Sequence, residues 1–406
     1  MHTCGGNMIC DKKRKLLKRQ RNQDQAIACV MYASFQPEEI KKTKIKVWSA
    51  YYGEVELQCQ DLKNGTIQLC TSVNGSQPGQ PNIDIMSIDC QLNELNPNRY
   101  LYTYEYLLNL PIVVVCIETL KINNDLIVKL KLKQKENNKL PKEDQVLLHD
   151  ALVYNSRVDD HYAKCQFIKF CHRRLKVNNV VPTNLLISLV NYHIDNAYWT
   201  GRYIVVGNGV QLSEPFATFD IIGHELGHGL IQSTANLIMK GHAGALNESY
   251  ADIIGTAFER YVYNKRKNEN KNGDLQGKFD WLIGEDKIKK KLNVRNMEDP
   301  TKSTIPQPIK YKGEFWKNPN ADDDNGFVHV NNGPWNHAFF DFSQKVTIMA
   351  ALDIFLNALK LFPSNCSFPL ASTLLLQVCP EIFKVELKET LAKIGLDDSA
   401  VSDWIA

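Results

Sequence analysis

The sequence predicts an α+β chain in two lobes, strand-rich toward the N-terminus and helical toward the C-terminus. Two observations carry this expectation. Between Lys46 and about residue 132, β-branched and aromatic stretches such as Lys46 to Tyr52 (KVWSAYY), Thr66 to Cys70 and Pro111 to Thr119 alternate with Gly, Asn and Pro clusters, among them NGSQPGQPN at 74–82. Short strands joined by turns have this composition. From Phe219 onward, helix-type segments take over at Asp220–Ser233, Asn247–Lys265, Asn336–Phe362 and Leu387–Ile394, joined by loops rich in Gly, Asn, Asp and Pro.

Taken in order, residues 1–45 are polar and basic, with a Lys/Arg cluster at Lys12 to Arg21, and read as a leader or removable pro-segment. No apolar stretch follows that cluster, so a cleaved export signal is not expected and the compartment stays open. Residues 46–147 form a β-rich N-terminal region, within which Lys133 to Glu143 (KQKENNKLPKE) reads as a linker. Ala151 to Leu175 has helical spacing, with Val153, Val158, Tyr162, Phe167 and Phe170 on one side. The boundaries 148–233 and 234–406 then separate a region ending in an apolar-faced helix from a helical C-terminal region. Arg266 to Asp324 is far longer than the usual connection of ~4 to 6 residues, which marks it as functional, metal-organised or disordered.

Composition removes several function classes. The 406 residues are 44% hydrophobic and 23% charged, enough apolar content for a large core and unlike a disordered, collagenous or disulfide-scaffold chain. A net charge of +3, from 48 basic against 45 acidic residues, gives no reason to expect nucleic-acid binding. The longest apolar runs, Leu107 to Cys116 and Ile348 to Leu356, fall short of the ~20 residues of a membrane-spanning helix. The 11 cysteines include no C-x-x-C pair, so they read as buried free thiols rather than zinc ligands or a disulfide framework.

One constellation carries chemistry. His224-Glu225-Leu226-Gly227-His228 has the H-E-x-x-H pattern. On a helix the two histidines stand one turn apart on one face, so both imidazoles can reach one Zn2+ while Glu225 sits beside a metal-bound water. Ile221, Ile222, Leu226 and Leu230 supply the apolar face of that helix. A hydrolytic zinc needs a third protein ligand and one open position. Glu248 supplies a candidate at the start of the next helical stretch, with nineteen residues between it and His228. Asp252, one turn further, can accept the spare ring N–H of a ligating histidine.

The block Asp220 to Glu259, in which H-E-x-x-H is followed by Asn247-Glu248 and Asp252, resembles the thermolysin family of zinc metallopeptidases, the neutral, protealysin-like metalloproteinases. Asp324 to Gly333 (DNGFVHVNNG) is similar to the family's active-site histidine segment, Asn196 to Trp199 (NAYW) to its substrate-edge segment, and Asp280 to Asp286 (DWLIGED) and Val294 to Pro300 (VRNMEDP) also match. The resemblance runs from about Leu148 to the C-terminus. It implies a two-lobed metallopeptidase with a β-rich N-terminal lobe, a central zinc-binding helix, a helical C-terminal lobe and a cleft between them. On this reading 148–233 is the catalytic domain with the zinc helix and 234–406 its helical C-terminal partner.

By position, the resemblance implies one catalytic zinc on His224, His228 and Glu248, with Asp252 orienting His224. Glu225 is then the general base, and His329, held by Asp324, hydrogen-bonds the developing oxyanion. Asn196 and Ala197 pair with an extended substrate backbone, and Arg295 with a substrate carbonyl. Asp220, Glu259, Asp280 and Glu285 correspond to a structural calcium site. The implied substrate is a peptide or protein, cut before a hydrophobic residue that Ile221, Ile283 and Val294 receive, by a monomeric enzyme. Two positions depart from the pattern: Met239 replaces a family tyrosine that polarises the scissile carbonyl, with His242 a conceivable substitute, and Lys287 stands where an apolar pocket residue is usual. A non-catalytic zinc protein that binds a partner is the alternative reading. A zinc aminopeptidase is another, and would need an acidic anchor that the sequence does not identify.

Overall fold

The structure is a computed structural model that describes residues 42–49, 53–61, 66–68, 71–72, 84–89, 114–137, 139–177, 180, 185–192, 194–207, 216–269, 279–284 and 294–397. By internal contacts the chain divides into two compact units, Met1–Lys42 with Glu94–Pro111, and Thr43–Asn93 with Ile112–Ala406. The first, Lys42 apart, lies outside the described residues, as does the expected leader up to residue 41.

Two sheets form the strand-rich part of the second unit. One has the order β1 (Lys42–Ser49), β2 (Gly53–Asp61), β3 (Thr66–Gln68), β6 (Val114–Cys116). The other has the order β4 (Thr71–Ser72), β5 (Asp84–Asp89), β7 (Leu185–Tyr192), β9 (Tyr203–Gly207), β8 (Ala197–Trp199). In it β5, β7 and β9 run parallel, and β8 returns antiparallel on β9 with Ala197 opposite Val206 and Trp199 opposite Ile204. Ile204, Val205 and Val206 are all buried. A continuous apolar run of this kind belongs to a strand covered on both faces.

The N-terminal part is more helical than its residues suggest. Strand character stops at Cys116, and α1 (Ile117–Asn137) and α2 (Lys142–Phe170) form a hairpin. Ile127 and Leu130 of α1 bury against Leu140 and Leu148, so the apolar residues near 127–130 serve a helical face rather than a strand. The expected linker 133–143 is instead the end of α1, a short turn and the first residues of α2. Its Lys, Gln and Glu are good helix formers, and Pro141 stands at the N-cap of α2. The helix expected over 151–175 therefore starts earlier, and it ends in a π-turn at Cys171–Leu175 closed by left-handed Lys176.

The centre of the fold is the pair α3 (Phe219–Thr234) and α4 (Gly241–Glu269). Twelve of the sixteen α3 residues are buried, which is the signature of a helix enclosed on most sides. The two helices approach closely because small residues face each other. A Cβ added to Gly223 would lie 2.8 Å from Gly255 Cα, one on Gly227 3.1 Å from Ala251 Cα, and one on Gly255 2.5 Å from Asp220 O. Helix α4 begins at Gly241, so Glu248 sits two turns inside it rather than at its start.

Beyond α4 the long stretch to Asp324 contains a two-stranded ribbon, β10 (Leu282–Ile283) with β11 (Arg295–Asn296), and a 3-10 turn at Pro300–Lys302. Five helices follow: α5 (Asp324–Asn331), α6 (Gly333–Lys345), α7 (Ile348–Leu359), α8 (Phe368–Val378) and α9 (Lys384–Lys393). The single helix expected over 336–362 is two, because Thr347 turns extended and caps α7 by accepting from Ala350 N. Helix α8 was not expected; Ser367 caps it and Pro369 stands in its first turn. Trp335, Phe339, Phe355 and Phe368 join these helices in the main core.

Candidate active site

The α3/α4 seam sets the site. With glycine and alanine between the helices, the carboxylates of Glu248 and Asp252 on α4 reach the imidazoles of His224 and His228 on α3. Among the described residues, these two histidines and Glu248 are the group whose ligand atoms all lie within 4.8 Å of one another. The two Nε2 atoms are 3.1 Å apart, and Glu248 stands 3.4 Å from His224 Nε2 and 3.5 Å from His228 Nε2.

These spacings fit one zinc ion. Tetrahedral bonds of about 2 Å place neighbouring donor atoms about 3.3 Å apart. The donor chemistry fits as well. His224 Nδ1 is 2.8 Å from Asp252 Oδ1. A carboxylate oxygen there only accepts, so Nδ1 carries the proton and Nε2 offers its lone pair. His228 Nδ1 is 2.9 Å from Asn247 Oδ1, and the Asn247 amide is oriented by its donation to Leu237 O at 3.1 Å. Glu248 Oε2 is buried and has no hydrogen-bond partner among the described residues. A buried carboxylate oxygen in that state is costly unless a cation meets it.

Charges around the site are strongly coupled. Burial opposes ionisation of Glu248, but His329, His228 and His224 together hold it well below the usual carboxylate range. Burial also opposes protonation of His224, yet its bond to Asp252 and the neighbouring Glu248 carboxylate push it up to about 10. His228 moves the other way, lowered by burial and by the charge of His224. The directions are complementary, since with the two nitrogens 3.1 Å apart a charge on His224 disfavours one on His228, and a bound metal would displace protons from both.

Asp252 is the hub behind the ligands. Its Oδ1 accepts from Arg295 Nη2 at 2.6 Å, and its Oδ2 from Arg295 Nε at 2.7 Å, Asn336 Nδ2 at 2.8 Å and Asn332 Nδ2 at 2.9 Å. Burial alone would raise its pKa, but Arg295 and His224 bring it down to about 2. Arg295, expected to bind a substrate carbonyl, thus spends Nε and Nη2 on Asp252. Asn247, Asn332 and Asn336 were not anticipated from the sequence, although Asn247 immediately precedes a candidate ligand and Asn332 closely follows His329.

Glu225 is buried on α3 beside His224, and its charge acts on His224, His228 and Arg295. His329 comes from the far side. Its side chain is half exposed, with Nε2 3.3 Å from Glu248 Oε2. Asp324 holds it through Oδ1 to Nδ1 at 2.6 Å and through Oδ2, which accepts from His329 N at 2.9 Å. That loop-back requires four successive residues with positive φ, Asp324, Asn325, Gly326 and Phe327, of which only glycine adopts the region without cost. The charge of Glu248 and the bond to Asp324 outweigh burial and raise the His329 pKa.

The remaining expected residues are placed less centrally. Asn196 is exposed, its Oδ1 accepts from Ala197 N at 2.9 Å, and Ala197 opens the edge strand β8. Ile221 and Val294 converge on Gly284, next to Ile283. Asp220 accepts from Gly284 N at 2.7 Å and Asp280 from Leu282 N at 2.9 Å. Asp220, Glu259 and Asp280 do not form a second metal-type group among the described residues, and Glu285 lies outside them, as does Lys287. The expected calcium set is therefore not complete among the described residues. Met239 is exposed. His242, the conceivable substitute, is half-buried, and its ring packs edge-on against Tyr311, Trp316 and Phe368.

Two family descriptions match this chain in succession, the thermolysin metallopeptidase catalytic domain over residues 79–232 and the thermolysin metallopeptidase alpha-helical domain over residues 235–393. Neutral protease NprE of Bacillus pumilus is 30% identical over 234 residues, which cover 56% of this chain and 71% of that protein. The chain belongs to the thermolysin family of metallopeptidases. This agrees with the hydrolase class expected from the motif, and the catalytic-domain match begins upstream of residue 148, where the resemblance was first traced. A thermolysin of Alicyclobacillus acidocaldarius subsp. acidocaldarius is 34% identical over 203 residues, 48% of this chain and 32% of that one. The chain thus spans less than half of the thermolysin and bacillolysin relatives it matches. The fold is similar to the precursor of protealysin, a metalloproteinase from Serratia proteamaculans, with a TM-score of 0.51 and 24% identity over 59% of this chain and 78% of that one.

Proposed function

We propose that this chain is a zinc-dependent endopeptidase, with His224, His228 and Glu248 holding one Zn2+. The observation that carries the reading is the convergence of three donors at zinc spacing, His224 and Glu248 buried and His228 nearly so, with buried Glu225 next to His224 on the same helix and His329 Nε2 3.3 Å from Glu248. A zinc ion held there would supply Lewis acidity toward a peptide carbonyl and a water. Glu225 takes the proton of the attacking water as general base. His329, protonated and fixed by Asp324, donates from Nε2 to the carbonyl oxygen as negative charge develops, an interaction stronger in the transition state than in the ground state. Asp252 keeps His224 in the tautomer that presents Nε2 to the metal.

Recognition follows from the surroundings. Strand β8 is the edge of its sheet among the described residues, so an extended peptide can add alongside Ala197 by main-chain hydrogen bonds. Ile221, Ile283 and Val294 around Gly284 supply an apolar surface for a hydrophobic side chain on the leaving-group side. The test is zinc content together with cleavage of internally quenched peptides, wild type beside Glu225→Ala. One zinc per chain in both, with chelator-sensitive cleavage before Leu, Ile or Phe in the wild type alone, is expected. One zinc with no cleavage in either would favour the partner-binding reading.

A further inference from the structure

We propose that Gln307 and Asn332 are positioning residues that set His329 in register with the zinc ligands. This rests on the zinc-site reading above and adds two residues to it. Asp252 Oδ1 faces His224 Nδ1, while Oδ2 accepts from Asn332 Nδ2 at 2.9 Å. Asn332 Oδ1 then accepts from Gln307 Nε2 at 2.7 Å, and the same Nε2 donates to the backbone oxygen of His329 at 2.6 Å. An unbroken path of side-chain hydrogen bonds therefore runs from the first zinc histidine to the main chain of His329.

The direction of that path is fixed. An ionised carboxylate only accepts, so Asn332 must turn its NH2 toward Asp252 and its oxygen toward Gln307. Gln307 must in turn offer its NH2, and both of its protons are used. Neither amide can flip without placing like against like. Ser303 closes the path into a ring: its Oγ donates to Gln307 Oε1 at 3.3 Å and accepts from Asn296 N at 2.9 Å, next to Arg295, whose guanidinium returns to Asp252. Gln307, Asn332 and Asp252 are all buried, so water does not compete for these bonds. Gly333 makes room for the contact, because a Cβ there would lie 2.4 Å from Pro308 O and 2.9 Å from Gln307 Cβ.

His329 needs such an anchor. Its imidazole is half exposed, and the Asp324 that grips it is itself at the surface, in a left-handed turn. Asp324 sets the ring against its own backbone but does not set that backbone against the zinc histidines. The Gln307 bond to His329 O does.

The experiment compares zinc-loaded wild type, Gln307→Leu and Gln307→Glu, each also in a His329→Ala background. Gln307→Leu removes both donors at nearly constant volume, and Gln307→Glu, which keeps the shape, replaces it if the leucine variant does not fold. The expected result is a kcat lowered about 10- to 100-fold, the penalty for a catalytic group displaced by about 1 Å, with KM and zinc content unchanged. In the His329→Ala background the Gln307 change should cost little more, because its effect passes through His329. An equal additional loss there, or loss of zinc in the single variant, would overturn the proposal and leave Gln307 a merely structural residue.

A second readout is independent of turnover: calorimetric binding of a phosphonate dipeptide, whose anionic oxygens resemble the developing oxyanion, beside the corresponding product dipeptide. Weaker phosphonate binding with unchanged product binding supports the proposal, and unchanged phosphonate binding refutes it. If the wild type cleaves nothing, the endopeptidase reading fails, and the calorimetry alone decides the positioning role.

Discussion

Asp252→Asn is the substitution that bears most directly on how the zinc site is held. Asp252 accepts bonds from Arg295 (twice), Asn332 and Asn336 and faces His224 Nδ1. An asparagine has one acceptor oxygen, so whichever way it turns, its NH2 meets donors. Arg295, only 8% exposed, would lose its counter-charge, and breaking a buried ion pair from one side costs about 3–5 kcal/mol. The pKa shift gives a second figure of the same order. The Asp252 pKa is brought down to about 2 from the ordinary aspartate value of 3.8, and that difference is worth about 2 kcal/mol. Because the folded-state pKa is depressed, this stability is fully present above pH about 4 and is lost as the pH falls toward about 2. The assay is urea unfolding of wild type and variant with and without zinc, alongside competition of each with a chelating dye. The expected outcome at neutral pH is a stability loss of about 3 kcal/mol or more and zinc affinity about 10- to 100-fold weaker, with the stability gap narrowing on acidification below pH 4. A variant with wild-type unfolding and wild-type zinc affinity would refute the assignment of Asp252 as the hub.

Gly255→Ala should loosen the helix seam. The new Cβ would lie 2.5 Å from Asp220 O and 3.0 Å from His224 N, both backbone atoms that cannot swing away, so a loss of about 1–3 kcal/mol is expected by thermal melting, together with weaker zinc retention. His329→Ala should lower kcat about 100- to 1,000-fold, the usual cost of losing one oxyanion donor. Circular dichroism and zinc content should match the wild type, since His329 is half exposed.

The zinc helix was legible because three constraints fall on neighbouring residues. His224 and His228 need one face, Leu226 and Leu230 the apolar face, and Gly227 the approach of α4, all within a single turn or two. Asp252 and Glu248 were legible from their spacing. The hub's amide partners Asn332 and Asn336, and Gln307 behind Asn332, were not, because they come from separate parts of the chain and an amide in a sequence carries no sign of which group it will meet. Misreadings in the N-terminal part have a different cause. Short apolar stretches between 117 and 132 fit a strand or a buried helix equally, and only their burial against Leu140 and Leu148 distinguishes the two. The calcium set could be traced through family likeness alone, and two of its acids, Asp220 and Asp280, accept from backbone N–H groups.

Whether the zinc site is catalytic or structural turns on its fourth position. A structural zinc is closed by four protein ligands, whereas a hydrolytic one keeps a place for water. His329 is the residue to examine, because its Nε2 is 3.3 Å from Glu248 Oε2 and a small shift toward the metal would close the site. The geometry argues against this. His329 does not belong to the group whose ligand atoms all lie within 4.8 Å of one another, and Asp324 grips both its Nδ1 and its backbone N. X-ray absorption at the zinc edge separates the cases, since imidazole scattering counts the histidines bound. Two imidazoles are expected in the wild type and two in His329→Ala, with oxygen from Glu248 and solvent completing the shell. Three imidazoles falling to two in the variant would mean that His329 closes the site, and the endopeptidase mechanism would have to be abandoned for a structural role.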